Sequence, residues 1–251
     1  MHPKKILAQT SHRPWPLPEG PWVMTQSWLD LLFAHWPVPP ALLRPLLPEG
    51  LALQTWEGQA WIGVVPFRME NVTPRLVPPL PWISAFPELN VRTYVTAGGK
   101  QGVWFFSLDA TNPVAVRVAR KGFHLPYYDA RMDLQKKQDS WIRYLSHRLH
   151  KDAHPADLRA LYRPAGRVYA SKPGTLEHWL TERYCLYAAD DKGKLWRGEI
   201  HHCPWPLQKA EAVFELNTMT SPVGLRLPES APLLHFARRI DVLVWPLAQL
   251  G

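Results

Sequence analysis

Apolar and polar positions alternate strictly between Phe86 and Val95. Leu89, Val91, Thr93 and Val95 fall on one side of an extended chain, and Glu88, Asn90, Arg92 and Tyr94 on the other. A period of two predicts a strand. Residues 96–102, Thr-Ala-Gly-Gly-Lys-Gln-Gly, carry turn chemistry, and residues 103–108 return as a second strand. That partner, Val-Trp-Phe-Phe-Ser-Leu, is apolar on both faces, as strands covered on both sides are. The polar row beside it is then enclosed as well. Enclosed charges need partners, because an unpaired buried charge is costly. Glu88 and Arg92 stand roughly 13 Å apart at about 3.3 Å per residue, so neither satisfies the other along the strand. Their partners come from other strands, from water or from a ligand. A solvated sheet face would show the same alternation, but the doubly apolar neighbour favours a polar cavity inside a barrel.

The same reading extends along the chain. Residues 1–20 are Pro-rich and read as an arm, and residues 21–251 as a single domain with no internal repeat. An apolar run, 28–36, ends at Pro37, and Pro39-Pro40 open a short helix over 41–47. Residues 51–65 read as two strands around a Glu57-Gly58 turn, and 68–81 as a proline-punctuated loop. Asn112-Pro113 predict a helix start, with Gly122 as its stop and 123–128 leaving as extended chain. Residues 140–149 read as a strand, while 151–171 carry no clear pattern. Thr175 caps a short helix whose Leu176, Trp179 and Leu180 share a face and read as core. Residues 182–189 and 195–203 flank the turn Asp190-Asp191-Lys192-Gly193-Lys194. A five-residue loop there would set Tyr184 opposite Ile200, Arg183 opposite His201 and Tyr187 opposite Arg197. Residues 209–216 and 234–247 supply the last strands.

Composition narrows the class. The chain has 251 residues, 46% of them apolar, enough for one large core. Its 27 prolines exclude long uninterrupted helices and favour many short strands with fixed turns, so the fold class is mainly β. The most apolar region, 28–47, is broken by Asp30, His35, Arg44 and four prolines, where a membrane span needs about 20 apolar residues. The first residues lack the apolar core of a secretion signal, and two cysteines make no disulfide framework, so a cytoplasmic protein is expected, with no membrane partner. The net charge of +8 is spread along the chain without a basic arm, which argues against nucleic acid. A solvated basic surface explains most of that charge, and a small anionic ligand is the partner it favours next. A homo-oligomer exchanging the N-terminal arm stays open.

Chemistry candidates are few. His201-His202 is the one adjacent histidine pair, and on a strand its rings point to opposite faces, so the two cannot share an ion. No Cys-x-x-Cys spacing occurs, and no metal or other cofactor is expected. Cys203 before Pro204 reads as a structural thiol. No nucleophile elbow, phosphate loop or dinucleotide fingerprint is present. The polar strand faces remain. Glu88 in a dry cavity fits a general acid or base with a raised pKa. Arg92, Arg120 or Arg183 fits a carboxylate clamp, with Asn90, Tyr127, Tyr128 and Tyr184 as further ligand contacts. A satisfied internal ion-pair network would use the same residue types without function.

Several segments resemble the YqjF-like family of uncharacterised bacterial proteins. They are Trp61-Ile62-Gly63-Val64-Val65-Pro66-Phe67, the run 86–95, Gly102-Val103-Trp104-Phe105, Leu125-Pro126-Tyr127, Thr181-Glu182-Arg183-Tyr184-Cys185-Leu186-Tyr187 and His201-His202-Cys203-Pro204-Trp205-Pro206-Leu207. The resemblance runs from about Trp28 to Trp245. That family is similar to acetoacetate decarboxylase, which implies a cone-shaped, largely antiparallel β-barrel with a few short helices and an internal cavity. The decarboxylase uses a Schiff-base lysine beside a second lysine, in a Gly-x-Pro-Lys-Lys stretch after a small helix. Here the matching stretch is His124-Leu125-Pro126-Tyr127-Tyr128, with tyrosines in place of both lysines. A phenol forms no imine, and Lys121 precedes the proline, so decarboxylation by that route is not expected. The resemblance also aligns Glu88 with a cavity glutamate and Arg120 with the arginine of the helix before the lysines. The function expected is binding of a small anionic or carbonyl-bearing metabolite inside the cone, with acid–base chemistry at Glu88 if the protein is an enzyme. A non-catalytic binding protein and a purely structural or interaction domain are the alternatives.

Overall fold

The alternating run and its apolar partner form the expected antiparallel hairpin, Phe86–Ala97 with Lys100–Ala110. In this computed structural model, residues 2–76 and 84–250 are described. In chain order the elements are α1 (Pro3–Leu7), β1 (Met24–Val38), α2 (Pro40–Leu43), β2 (Ala52–Leu53), β3 (Ala60–Pro74), β4 (Phe86–Ala97) and β5 (Lys100–Ala110). Then come α3 (Pro113–Phe123), β6 (Tyr127–Lys136), β7 (Ile142–Arg148), β8 (Asp157–Tyr169), α4 (Leu176–Thr181), β9 (Cys185–Ala189), β10 (Leu195–His201), β11 (Leu207–Asn217) and β12 (Leu233–Gln249). The fold is mainly β, as the composition predicts. No helix among the described residues is long and apolar enough to cross a membrane.

The twelve strands among the described residues belong to one sheet, in the order β10-β9-β5-β6-β7-β8-β11-β12-β1-β3-β4-β2. Two further pairings, β4 with β5 and β10 with β12, make it ring-like. The β9–β10 hairpin therefore spans the ring, joined to β5 on one side and to β12 on the other. The pairings β5–β6 and β5–β9 are parallel and the rest antiparallel. The spanning hairpin leaves two interiors, one on each face of the β1–β3–β4 sheet. On one face Leu32, Ala34, Ile62, Val64, Leu89 and Val91 pack against Tyr144, Leu158 and Tyr162. On the other, Leu31, Phe33, Val65, Phe67 and Met69 pack against Val116 of α3, Leu125 and Trp205. Period-two burial is what sorts one strand's side chains into the two interiors.

Some sequence expectations change. β3 runs to Pro74, so the first part of the expected 68–81 loop is strand, and residues 77–83 lie outside the described chain. The expected Glu57-Gly58 turn is present, closed by reciprocal hydrogen bonds between Trp56 and Gln59, but the two strands do not pair beyond it: β2 pairs with β4, while β3 lies between β1 and β4. The 41–47 helix divides into α2 and a 3-10 turn, Arg44–Leu46, because Pro45 cannot continue an α-helical hydrogen-bond ladder. Asn112 caps α3 by accepting hydrogen bonds from Val114 N and Ala115 N, and His124, at φ 52°, ends it beyond Gly122. β6 and β8 were unforeseen. The 182–203 hairpin has the expected register, with Tyr187 opposite Arg197 and Ile200 N donating to Tyr184 O.

The Pro-rich arm is docked along β10 and β12. Ile6 packs with Leu243 and Trp245, Arg13 donates to Ile200 O and pairs with Glu199, and Ile6 O meets His201 Nε2 at 2.9 Å.

Candidate functional site

β4 carries Phe86, Glu88, Asn90 and Arg92 at period two into the interior covered by α3 and the spanning hairpin. These four line a cavity of about 180 Å³ with Val65, Phe67 and Met69 of β3, Trp28 of β1, and Ala115, Ala119 and Phe123 of α3. β5 contributes Val103, Phe105 and Leu108. Those three share a face because the β4–β5 register shifts between Val91 and Arg92, where Phe106 is the extra residue. A bulge of this kind re-aims the side chains that follow it.

Glu88 is 2% exposed. Its Oε2 accepts a hydrogen bond of 2.7 Å from the Tyr127 hydroxyl, and its backbone oxygen accepts one of 2.7 Å from Tyr144. Burial pushes its pKa up to about 8; the Tyr127 bond opposes that rise and Asp109 adds to it. At neutral pH Glu88 is therefore mainly a neutral acid that can donate a proton. Burial and the neighbouring Glu88 hold the Tyr127 phenol well above its ordinary value.

Arg92 and Arg183 gather at the other end of the cavity, 8% and 5% exposed. Arg183 Nε donates to Trp179 O at 2.6 Å, and Nη1 to Gln54 Oε1 at 2.5 Å. Arg183 Nη2, Arg92 Nε and Nη2, and Asn90 Oδ1 are buried without a hydrogen-bond partner. Among the described residues, neither guanidinium has a carboxylate within 4.0 Å. Instead Arg92 lies 5.2 Å from the Phe33 ring centre and 5.8 Å from that of Tyr94, and Arg183 lies 4.8 Å from Tyr94. Burial lowers the Arg183 pKa to about 10. The Tyr94 hydroxyl meets His35 Nε2 at 2.6 Å. Burial, with Arg92 next, holds that imidazole well below its ordinary pKa and hence uncharged. Gly63 makes the cluster possible: a Cβ there would stand 2.9 Å from His35 Cδ2 and 3.4 Å from Arg92 Cγ.

Of the residues singled out in the sequence, Glu88, Asn90, Arg92, Tyr127 and Arg183 thus meet at one cavity. Arg120 and Tyr128 line a different, more open cleft of about 320 Å³ with Arg148 and His150. Adjacent strand residues point to opposite faces, so Tyr127 enters one interior and Tyr128 the other. Arg120 still touches the first site through backbone, donating to Tyr127 O at 2.7 Å. Tyr184 faces the arm. Its hydroxyl donates to Glu182, and its ring stacks on His202, 4.8 Å between centres, and under Arg13. Lys121 is exposed at the end of α3, and among the described residues no lysine lines the Glu88 cavity.

Sequence reasoning missed Phe33, His35, His202 and Trp205, which border the arginines or the cavity. It also missed the buried pair Asp109–Arg148, whose Nε and Nη2 donate to the carboxylate at 2.9 and 2.7 Å. Only the polar His35 within the apolar 28–36 run could have flagged its site. Among the described residues no group of three or more His, Cys, Asp or Glu side chains converges to hold a metal ion.

The model of the DUF2071 family, described as "Uncharacterized conserved protein", matches residues 25–241. The "Uncharacterized protein YqjF" of Bacillus subtilis (strain 168) is 50% identical over 231 residues, covering 92% of this chain and 94% of that protein. Among solved structures, an acetoacetate decarboxylase-like enzyme from Sphingomonas wittichii RW1 superposes with a TM-score of 0.60 at 14% identity, covering 96% of this chain and 98% of that one. The enduracididine biosynthesis enzyme MppR, complexed with the condensation product of pyruvate and imidazole 4-carboxaldehyde, gives 0.64 at 10% identity over 92% and 91%. Acetoacetate decarboxylase from Legionella pneumophila gives 0.60 at 14% identity over 95% and 93%. At such identities the likeness shows the fold alone.

Proposed function

The chain belongs to the DUF2071 family, with an acetoacetate decarboxylase-like fold, and from that premise we propose that its cavity binds a small anionic, carbonyl-bearing metabolite. The observation that carries this reading is the pair of buried guanidinium groups without a carboxylate partner. A buried cation costs several kcal/mol unless an opposite charge compensates it. A carboxylate ligand would supply that charge and accept from Arg92 Nε and Nη2 and Arg183 Nη2. Asn90 contributes an amide contact. Glu88, protonated at neutral pH and held by Tyr127, exchanges a proton with a carbonyl or enolate oxygen of the bound molecule. With no lysine among the described residues of the cavity wall, this is acid–base chemistry and not imine chemistry. MppR is complexed with a condensation product of pyruvate, which makes oxo acids longer than pyruvate natural first probes.

A thermal-shift screen with small carboxylates, 2-oxo acids and 3-oxo acids tests the reading. A ligand at 100 times its dissociation constant adds about 2.7 kcal/mol of stability. The expected result is a raised Tm for at least one acid, lost in Arg92→Ala and altered in Glu88→Gln. A hit that is bound but never turned over would make the protein a non-catalytic binder. No hit in any class, with both substitutions strongly destabilising, would favour a purely structural network.

A further inference from the structure

We infer that the anionic, carbonyl-bearing ligand of this cavity is an amphipathic acid, its carboxylate carrying an extended acyl chain that reaches Glu88 and beyond. The inference rests on the assignment of Arg92 and Arg183 as the anion anchor and adds the chemistry of the rest of the molecule. The unpartnered guanidinium atoms lie only at the inner end. Arg92 lies against Tyr94, and Arg183 bonds Gln54, whose backbone donates to Tyr94 O, one step further from Glu88 along β4. From Arg92 to Phe86 the cavity follows six residues of strand, roughly 20 Å at about 3.3 Å each. Beyond Glu88 its walls turn mainly apolar, with Gln26 the polar exception. Phe86 pairs with Met69, and Met69 also pairs with Trp28. Ala110 stands opposite Glu88, so α3, starting three residues later, covers this outer half with Ala115 and Ala119.

A molecule the size of pyruvate held by the arginines would leave that outer half unfilled and would end short of Glu88. The dimensions choose among longer ligands. A volume of about 180 Å³ is little larger than the roughly 150 Å³ apolar cavity that holds benzene, while its walls reach from Arg92 to Phe86 along β4. A single methylene chain suits that shape better than a fused ring system. Glu88, mainly neutral at pH 7, places no negative charge beside the chain. The two alanines on α3 keep the channel open where larger side chains would close it.

The test is calorimetric titration with straight-chain monocarboxylates from acetate to dodecanoate and with the matching primary amides. Affinity should rise roughly fourfold per methylene until the chain fills the channel, then level off. Ala119→Leu should move the levelling point to shorter chains without weakening the shortest acid that binds. Ala115→Leu, one turn earlier, repeats the test if the first variant folds poorly. The amides should bind at least tenfold more weakly than the acids, and Arg92→Met should erase that difference. A flat dependence on chain length, with binding still lost in Arg92→Met, overturns the acyl-chain inference and leaves the anion anchor standing. A rising dependence that ignores both head group and Arg92 overturns the anchor. Absence of binding along the whole series overturns both.

Discussion

Glu88 shows how one residue's surroundings set its chemistry. Its folded-state pKa of about 8 lies above the ordinary value of 4.5, so between these values the folded protein holds a proton that the unfolded chain has released. Stability should therefore fall as pH rises from about 4.5 to about 8 and then level off, by a few kcal/mol at most. Glu88→Gln should flatten that part of the profile and be more stable than the parent at pH 8. Denaturant melts at a series of pH values measure it; an unchanged slope in the variant would mean that Glu88 is ionised in the fold. The enclosed polar row was legible because Glu88, Asn90 and Arg92 alternate with apolar residues beside a doubly apolar strand. The separation of Tyr127 from Tyr128 was legible only once both were placed on a strand, and their neighbours there gave no hint of it. His35 and His202 reach the arginines and the cavity through long-range pairing, which a linear pattern does not encode.

Among elements, the spanning hairpin decides the architecture, and its approach to β5 depends on Gly102. A Cβ at that position would stand 2.7 Å from Cys185 O and 2.8 Å from Tyr187 Cε2. The first of these is backbone, which cannot swing aside. Gly102→Ala should therefore cost about 1–3 kcal/mol or more, read as a Tm lowered by roughly 2–4 °C per kcal/mol. An unchanged Tm would show that β9 does not pack this closely on β5. The strands that sequence reasoning passed over carried ordinary signals. In β6, Ala130, Met132 and Leu134 alternate with Arg131, Asp133 and Gln135, yet the polar share hid the period. In β8 the alternation of Leu158, Ala160 and Tyr162 is cut by Pro164 and Gly166, which read as a loop. Mostly, local period was readable and pairing was not: nothing near β2 says that it joins β4 and not β3.

For the whole molecule, the ring-like sheet and its crossing hairpin turn one strand's alternation into two interiors, one mainly apolar and one holding Arg92 and Arg183. The mainly-β fold followed from proline density and strand periods, and the acetoacetate decarboxylase-like arrangement from the resemblance carried by long motifs. The interior that holds Arg92 sets a conflict of magnitudes. Contacts with Phe33 and Tyr94 return about 1–2 kcal/mol each, while burying an unpaired cation costs several. On the proposed reading, the ligand-free fold carries a strain that a bound anion would relieve. The most direct test is the Tm of ligand-free Arg92→Met, with Met filling similar space without charge. If the cavity is an anion site, the variant should melt higher than the parent, by about 1 kcal/mol or roughly 2–4 °C, and should no longer respond to any acid that stabilises the parent. A variant that melts well below the parent, yet keeps its response to acids, would contradict the account and make Arg92 part of the structural framework.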